Sequence, residues 1–216
     1  MDPLPPILFR SDGLVVLDKP AGLPVHAGPR GGASVEDWFG QLSRRRTGPW
    51  LAHRLDTDTS GCLVIALRKA ALIEAQALFA GGQVSKTYWA IVEHGPAGES
   101  GLIDAPLVKR SRPGAWRMEV DPSGQGARTA WRVLGRNGGR AWLELMPQTG
   151  RTHQVRIHCA HLGCPLVGDP VYGKPDGERL QLLARAIALP MADPVSATAP
   201  PPPHMLDGLR NLGWTP

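Results

Sequence analysis

The chain has 216 residues, a formal net charge of +5, and apolar residues at 42% of its length. It is long enough to bury a real core as a single domain with room for two lobes, and its composition is that of an ordinary water-soluble protein. No apolar run could cross a bilayer, the start Met1-Asp2-Pro3-Leu4-Pro5-Pro6 lacks the basic and hydrophobic regions of a signal peptide, and three cysteines (Cys62, Cys159, Cys164) form no disulfide framework. A reducing cytoplasm is the expected location, and the surplus positive charge favours a polyanionic partner.

Ile7-Leu8-Phe9 and Leu14-Val15-Val16-Leu17 read as a hairpin across Ser11-Asp12-Gly13. Ser34-Val35-Glu36-Asp37 carries capping chemistry and predicts a helix with Val35, Trp38, Phe39 and Leu42 on its apolar face. Leu51-Ala52 and Cys62 to Leu67 are strand-like runs on either side of a polar loop. Lys69 to Ala80 predicts a helix stopped by Gly81-Gly82. Ser85 to Val92 is a strand and Gly95 to Gly101 a turn region. Trp116 to Val120, Ala127 to Leu134 and Ala141 to Met146 suggest a meander. Thr152 is the expected N-cap of a helix that stops at Gly163, with Val155, Cys159 and Leu162 on one face. Arg179 to Leu189 predicts another strand, and Pro200 to Pro203 a stiff link into a short helix bearing Met205, Leu206, Leu209 and Leu212. Ala27 to Gly32 and Lys109 to Gly114, both rich in Gly, Pro and Arg, read as loops over a site. The pattern is α+β with mostly antiparallel strands.

Two polar segments stand out. His53-Arg54-Leu55-Asp56-Thr57-Asp58-Thr59-Ser60-Gly61 holds an aspartate between two apolar runs, with a cation two residues away and short hydroxyls that bond loop backbone. Pro147-Gln148-Thr149-Gly150-Arg151-Thr152-His153-Gln154-Val155-Arg156-Ile157-His158 places Arg156 in the first turns of a core-packed helix, where it can meet a carboxylate from another loop. An Asp56–Arg156 pair would keep that carboxylate ionised. Metal is a weaker use of the nearby His153, His158, Cys159, His161 and Cys164. Their spacing lacks the paired ligands of zinc sites, and Cys159 falls on the apolar face.

Together these segments resemble the RluA family of pseudouridine synthases. Residues 53–61 and 150–158 match its two site motifs. Asp12 to Gly22, the Lys86-Thr87-Tyr88-Trp89-Ala90-Ile91-Val92 strand, and Gly163 to Gly173 resemble three further family segments, in the same order. The resemblance implies a pseudouridine synthase fold: a mixed, mostly antiparallel sheet in two halves with flanking helices and a central catalytic cleft. It implies isomerisation of uridine in structured ribosomal or transfer RNA, without metal or other cofactor. Asp56 is then the essential carboxylate, Arg156 its partner, and Tyr88 a ring that stacks on uracil and reaches a proton in transit. Arg54, Arg151, His153 and Lys86 are the expected RNA contacts. The chain is expected to be a monomeric catalytic domain without an N-terminal RNA-binding module, and DNA is not an expected partner. One departure is Leu182-Leu183-Ala184, where the family usually has Leu-His-Ala.

Two other functions compete. One is a catalytically silent RNA-binding or RNA-chaperone protein of the same fold, against which the intact Asp56, Tyr88 and Arg156 argue. The other is a glycoside or nucleoside hydrolase using Asp56 with Asp58 or Asp169, which lacks the usual pair of separated acidic motifs. Basic residues at Arg44-Arg45-Arg46, at Lys109, Arg110 and Arg112, and at Arg128, Arg132, Arg136 and Arg140 divide between RNA contact and ordinary solvated surface.

Overall fold

The structure, a computed structural model, describes residues 3–28, 31–112, 115–175 and 177–216. The chain forms two compact units, Met1–Lys86 with Ala184–Pro200, and Thr87–Leu183 with Pro201–Pro216.

In the first unit, β1 (Ile7–Arg10) and β2 (Leu14–Lys19) make the expected hairpin. β2 pairs antiparallel with β4 (Ser60–Ala66), from Leu14 opposite Ala66 to Lys19 opposite Gly61. β3 (Trp50–Leu51) pairs with β4 at Ala66 and Ile65. Every residue of β4 is buried, as its unbroken apolar run requires of a strand covered on both faces. β4 is followed in the sheet by β11 (Leu182–Leu189), which pairs with β12 (Val195–Thr198). β11 starts later than the expected Arg179. β12, four residues between Pro194 and Pro200, is too short to show a period and lies outside the sequence expectation.

The helix expected from Ser34 is a tight turn over Val35–Trp38 followed by α1 (Phe39–Leu42). Asp37 Oδ2 accepts the Ser34 N–H at 3.0 Å, so the capping chemistry is present although the helix is short. Val35, Trp38 and Leu42 are buried. α2 (Lys69–Ala80) runs over the expected residues, turns Leu72 and Ala75 inward, and stops at Gly81.

In the second unit the sheet order is β5 (Ser85–Glu93), β10 (Arg140–Pro147), β9 (Arg128–Asn137), β6 (Ser100–Asp104), with antiparallel pairings throughout this run. This corrects two expectations. Ser100 and Gly101, the end of the expected turn region, belong to the strand Ser100–Asp104. The three-strand meander fails because β8 (Ala115–Val120) pairs with β7 (Leu107–Arg112) as a separate hairpin. The expected loop from Lys109 is strand as far as Arg112: Lys109 and Arg110 mask an alternation that turns Leu107, and Met118 on the facing strand, into the core. Pro113 and Gly114, like Pro29 and Arg30 of the other expected loop, lie outside the described residues.

α3 (Gln154–His161) is capped by His153 in the left-handed region, at φ 54°, and not by Thr152. Its Val155 and Cys159 enter the core, with Leu162 against them. α4 (Pro203–Asn211) begins with Pro at its first position and buries Met205 and Leu209. The chain just after α4 sits so close to β9 that a Cβ on Gly135 would lie 1.8 Å from the Leu212 carbonyl oxygen.

Candidate active site

Asp56 is half-buried in the loop between β3 and β4. That loop has little regular structure, yet its backbone is tied down. Lys19, at the end of β2, is fully buried. Its Nζ donates to Thr57 O at 2.8 Å, Leu23 O at 2.7 Å and Pro20 O at 2.9 Å. The Gly22 N–H reaches the same Thr57 carbonyl at 2.9 Å, and the Thr59 N–H donates to Asp56 O at 3.2 Å. On the other side, His53 Nε2 accepts the Val64 N–H at 3.0 Å and its ring lies 4.8 Å from Phe79. Gly61 then enters β4 at φ 106°, a conformation that a side chain would strain.

The charges follow from this packing. Burial pushes the Lys19 ammonium down to about 8, opposed by the negative charges of Asp58 and Asp56. Burial pushes His53 down to about 4; a backbone hydrogen bond with Arg54 acts upward and the Lys86 charge downward. A neutral imidazole is what an accepting Nε2 needs. Lys86 is half-buried, and burial lowers its ammonium too. Arg54 and Asp58 are exposed.

Acid should therefore loosen this loop. The unfolded chain protonates His53 near 6.5 and the folded chain only near 4, so the unfolded state binds more protons between those values. Stability falls as pH drops through that window, by about 3 kcal/mol. His53→Gln keeps an acceptor but does not titrate. In thermal melts at about pH 7 and about pH 4 it should lose less than the wild type; equal losses would clear His53 as the cause.

In the second unit, Arg156 is buried in the first turn of α3. Its Nε donates to Asp169 Oδ2 at 2.8 Å and its Nη2 to Asp169 Oδ1 at 2.7 Å, a two-pronged pair. Asp169 is fully buried, and its Oδ1 also accepts the N–H groups of Val171 at 2.9 Å and Tyr172 at 3.1 Å. Burial alone would raise this carboxyl. The bonds and charge of Arg156, with the two amides, outweigh burial and hold it below the usual carboxylate range. The Tyr172 ring covers the guanidinium at 5.3 Å, and its hydroxyl accepts the Met118 N–H at 3.1 Å. The same hydroxyl lies 2.9 Å from His153 Nδ1, and the His153 ring stacks with Trp116 at 5.1 Å. β8, α3 and the 169–172 turn are thus joined around Arg156.

Among the other expected site residues, Tyr88 is half-buried on β5 and packs against the core. Arg151 is exposed, with Nε 3.2 Å from Gly126 O. Of the His and Cys residues near Arg156, His158 bonds Thr129 Oγ1 at 2.8 Å and Ala105 O at 3.0 Å, and Cys159 is buried in the core. Leu183, at the family's histidine position, is fully buried. The Arg156–Asp169 fork and the Tyr172 contacts were not foreseen. The available signal was Asp169 followed by Pro170, between Gly168 and Gly173, a sequence suited to a turn built on the aspartate side chain.

Residues 13–161, which contain both site segments, match the family model described as RNA pseudouridylate synthase. The chain belongs to the RluA family of RNA pseudouridine synthases. It is 41% identical over 209 residues to a Zymomonas mobilis protein named as an uncharacterized RNA pseudouridine synthase, covering 93% of this chain and 95% of that one. It is 39% identical over 180 residues to the ribosomal large subunit pseudouridine synthase D of Nitrosomonas europaea, covering 78% of this chain but 49% of that relative. Human RNA pseudouridylate synthase domain containing 4 superposes with a TM-score of 0.80 at 30% identity, over 95% of this chain and 92% of that one. The α+β, mostly antiparallel fold expected of the family is the one observed. As an RNA pseudouridine synthase, the enzyme is an isomerase.

Proposed function

We propose that this synthase isomerises specific uridines of structured ribosomal or transfer RNA, with Asp56 as the essential carboxylate, Arg156 as the cation that orients it, and Tyr88 stacked on the uracil. The observation that carries this reading is the tethering of the Asp56 loop by the buried Lys19 ammonium. The reaction detaches uracil from ribose at nitrogen and rejoins it at carbon, without hydrolysis. A carboxylate that adds to ribose or base, or removes a ribose proton, must be ionised, dry and held in place. A fixed loop supplies the placement and an adjacent cation the ionisation. Asp169 fixes one edge of the Arg156 guanidinium, and in a planar group with five N–H donors that sets the direction of all the others.

A target uridine in structured RNA leaves its stack to react. Exposed Arg54, beside Asp56, suits a phosphate or the vacated space, and Arg151, His153 and Lys86 complete the expected contacts. The scheme uses no cofactor and has the chain acting as a monomer in the cytoplasm. Incubation with uridine-containing RNA should yield pseudouridine. Release of free uracil would mean a hydrolase, and unchanged RNA that stays bound would mean a silent binder. Pseudouridine mapping of total RNA with and without the gene names the target.

A further inference from the structure

We infer that the first unit carries a second RNA-backbone site, an arginine-lined cleft at the far end of β2 and β4 from Asp56; this rests on RNA being the substrate. The cleft has a volume of about 550 Å³ and is lined by Arg10, Asp12, Gln41, Arg44, Arg45 and Arg68, among others. Asp12 is its one acidic lining residue among the described residues. Two of the four arginines are held in fixed poses. Arg10 Nη2 donates to Leu42 O at 2.8 Å. Arg68 donates through Nε to Asp12 O at 3.1 Å and through Nη2 to Asp12 Oδ2 at 2.7 Å. Arg44 and Arg45 are exposed where the chain leaves α1. Four arginines line one hollow against a single aspartate, and a phosphate oxygen is the partner that their planar forks fit.

The register of the strands gives the distance. Lys19, opposite Gly61, marks the end tied to the Asp56 loop; Leu14, opposite Ala66, marks the other. At that other end the Leu67 N–H donates to Gly13 O at 2.7 Å, which seats the Ser11–Gly13 turn and Arg68 together. At about 3.3 Å per residue, the strand separates cleft and loop by roughly 20 Å. That span is several base pairs of an A-form RNA stem. The cleft therefore grips the stem beside the target and not the target uridine.

The test uses two synthetic hairpin RNAs with a uridine in the loop, one with a stem of about ten base pairs and one of about four. Both are titrated by fluorescence anisotropy over a salt series. Relative to wild type, Arg44→Ser/Arg45→Ser should reduce the slope of log Kd against log salt by about 1.4 to 1.8 on the long hairpin, near 0.7 to 0.9 per lost phosphate contact, and leave the short one unchanged. Arg44→Lys/Arg45→Lys should keep most of the slope, and the isomerisation rate at saturating RNA should stay at the wild-type level in both variants. An unchanged slope on the long hairpin overturns the inference. So does an equal loss on both hairpins, which would put these arginines beside the uridine. Binding is read without turnover, so RNA that is bound but never isomerised counts against the proposed function and leaves the cleft standing.

Discussion

Replacing Asp56 with asparagine should abolish pseudouridine formation while the protein stays folded and keeps most of its RNA affinity. The change is nearly isosteric. The loop is tied through backbone atoms, the Asp56 and Thr57 carbonyls among them, and none of those bonds involves the carboxylate. On the proposed function, what the variant loses is the charge that acts as nucleophile or base. Single-turnover rates should fall by more than about a hundredfold, about 2.7 kcal/mol of transition-state stabilisation. Asp58→Asn, on an exposed neighbour, should remain active. If Asp56→Asn keeps more than about a tenth of the wild-type rate, an effect under about 1.4 kcal/mol, the carboxylate lies elsewhere.

Asp169→Asn should be the most destabilising of the substitutions considered. It takes the negative charge from a two-pronged pair whose members are both buried, and breaking such a pair from one side costs about 3–5 kcal/mol. The amide still offers an oxygen to the Val171 and Tyr172 N–H groups, so the loss reports mainly on the fork to Arg156. Urea midpoints at neutral pH measure it; a loss under about 1 kcal/mol would show that the fork contributes little. The pH dependence has a definite sign. Because the folded carboxyl sits below its ordinary value, its contribution is complete above the unfolded value near ~3.9 and is lost as pH falls through the lower folded value. The variant should lack that acid limb.

The parts of the site that were legible in the sequence are local ones. The Asp56 loop shows as turn chemistry between two apolar runs, and α2 ends where Gly81-Gly82 says it should. Arg156 is legible as a core-rooted cation because Val155 and Cys159 set the helix phase around it. Its buried carboxylate partner was not, since Asp169 lies 13 residues further on and charge pairing across a turn has no period. Exposed strands were hidden for a related reason. In β6, Ser100, Gly101, Leu102 and Asp104 are all exposed, and one buried residue, Ile103, makes no pattern. His153 is the cap in place of Thr152, and its ring meets Tyr172 and Trp116, residues too remote in sequence for a local capping pattern to register.

Lys19 has a chemical consequence of its own. An alkylammonium nitrogen has three N–H bonds, and here three carbonyl oxygens take all of them. A guanidinium, with its donors spread over a plane and at most two on any one nitrogen, cannot serve three oxygens gathered around a single nitrogen. The lysine beside the Asp56 loop is therefore a saturated clasp with no donor to offer an incoming phosphate or base. Lys19 therefore works on its own chain, while Arg54, in the same loop, is exposed.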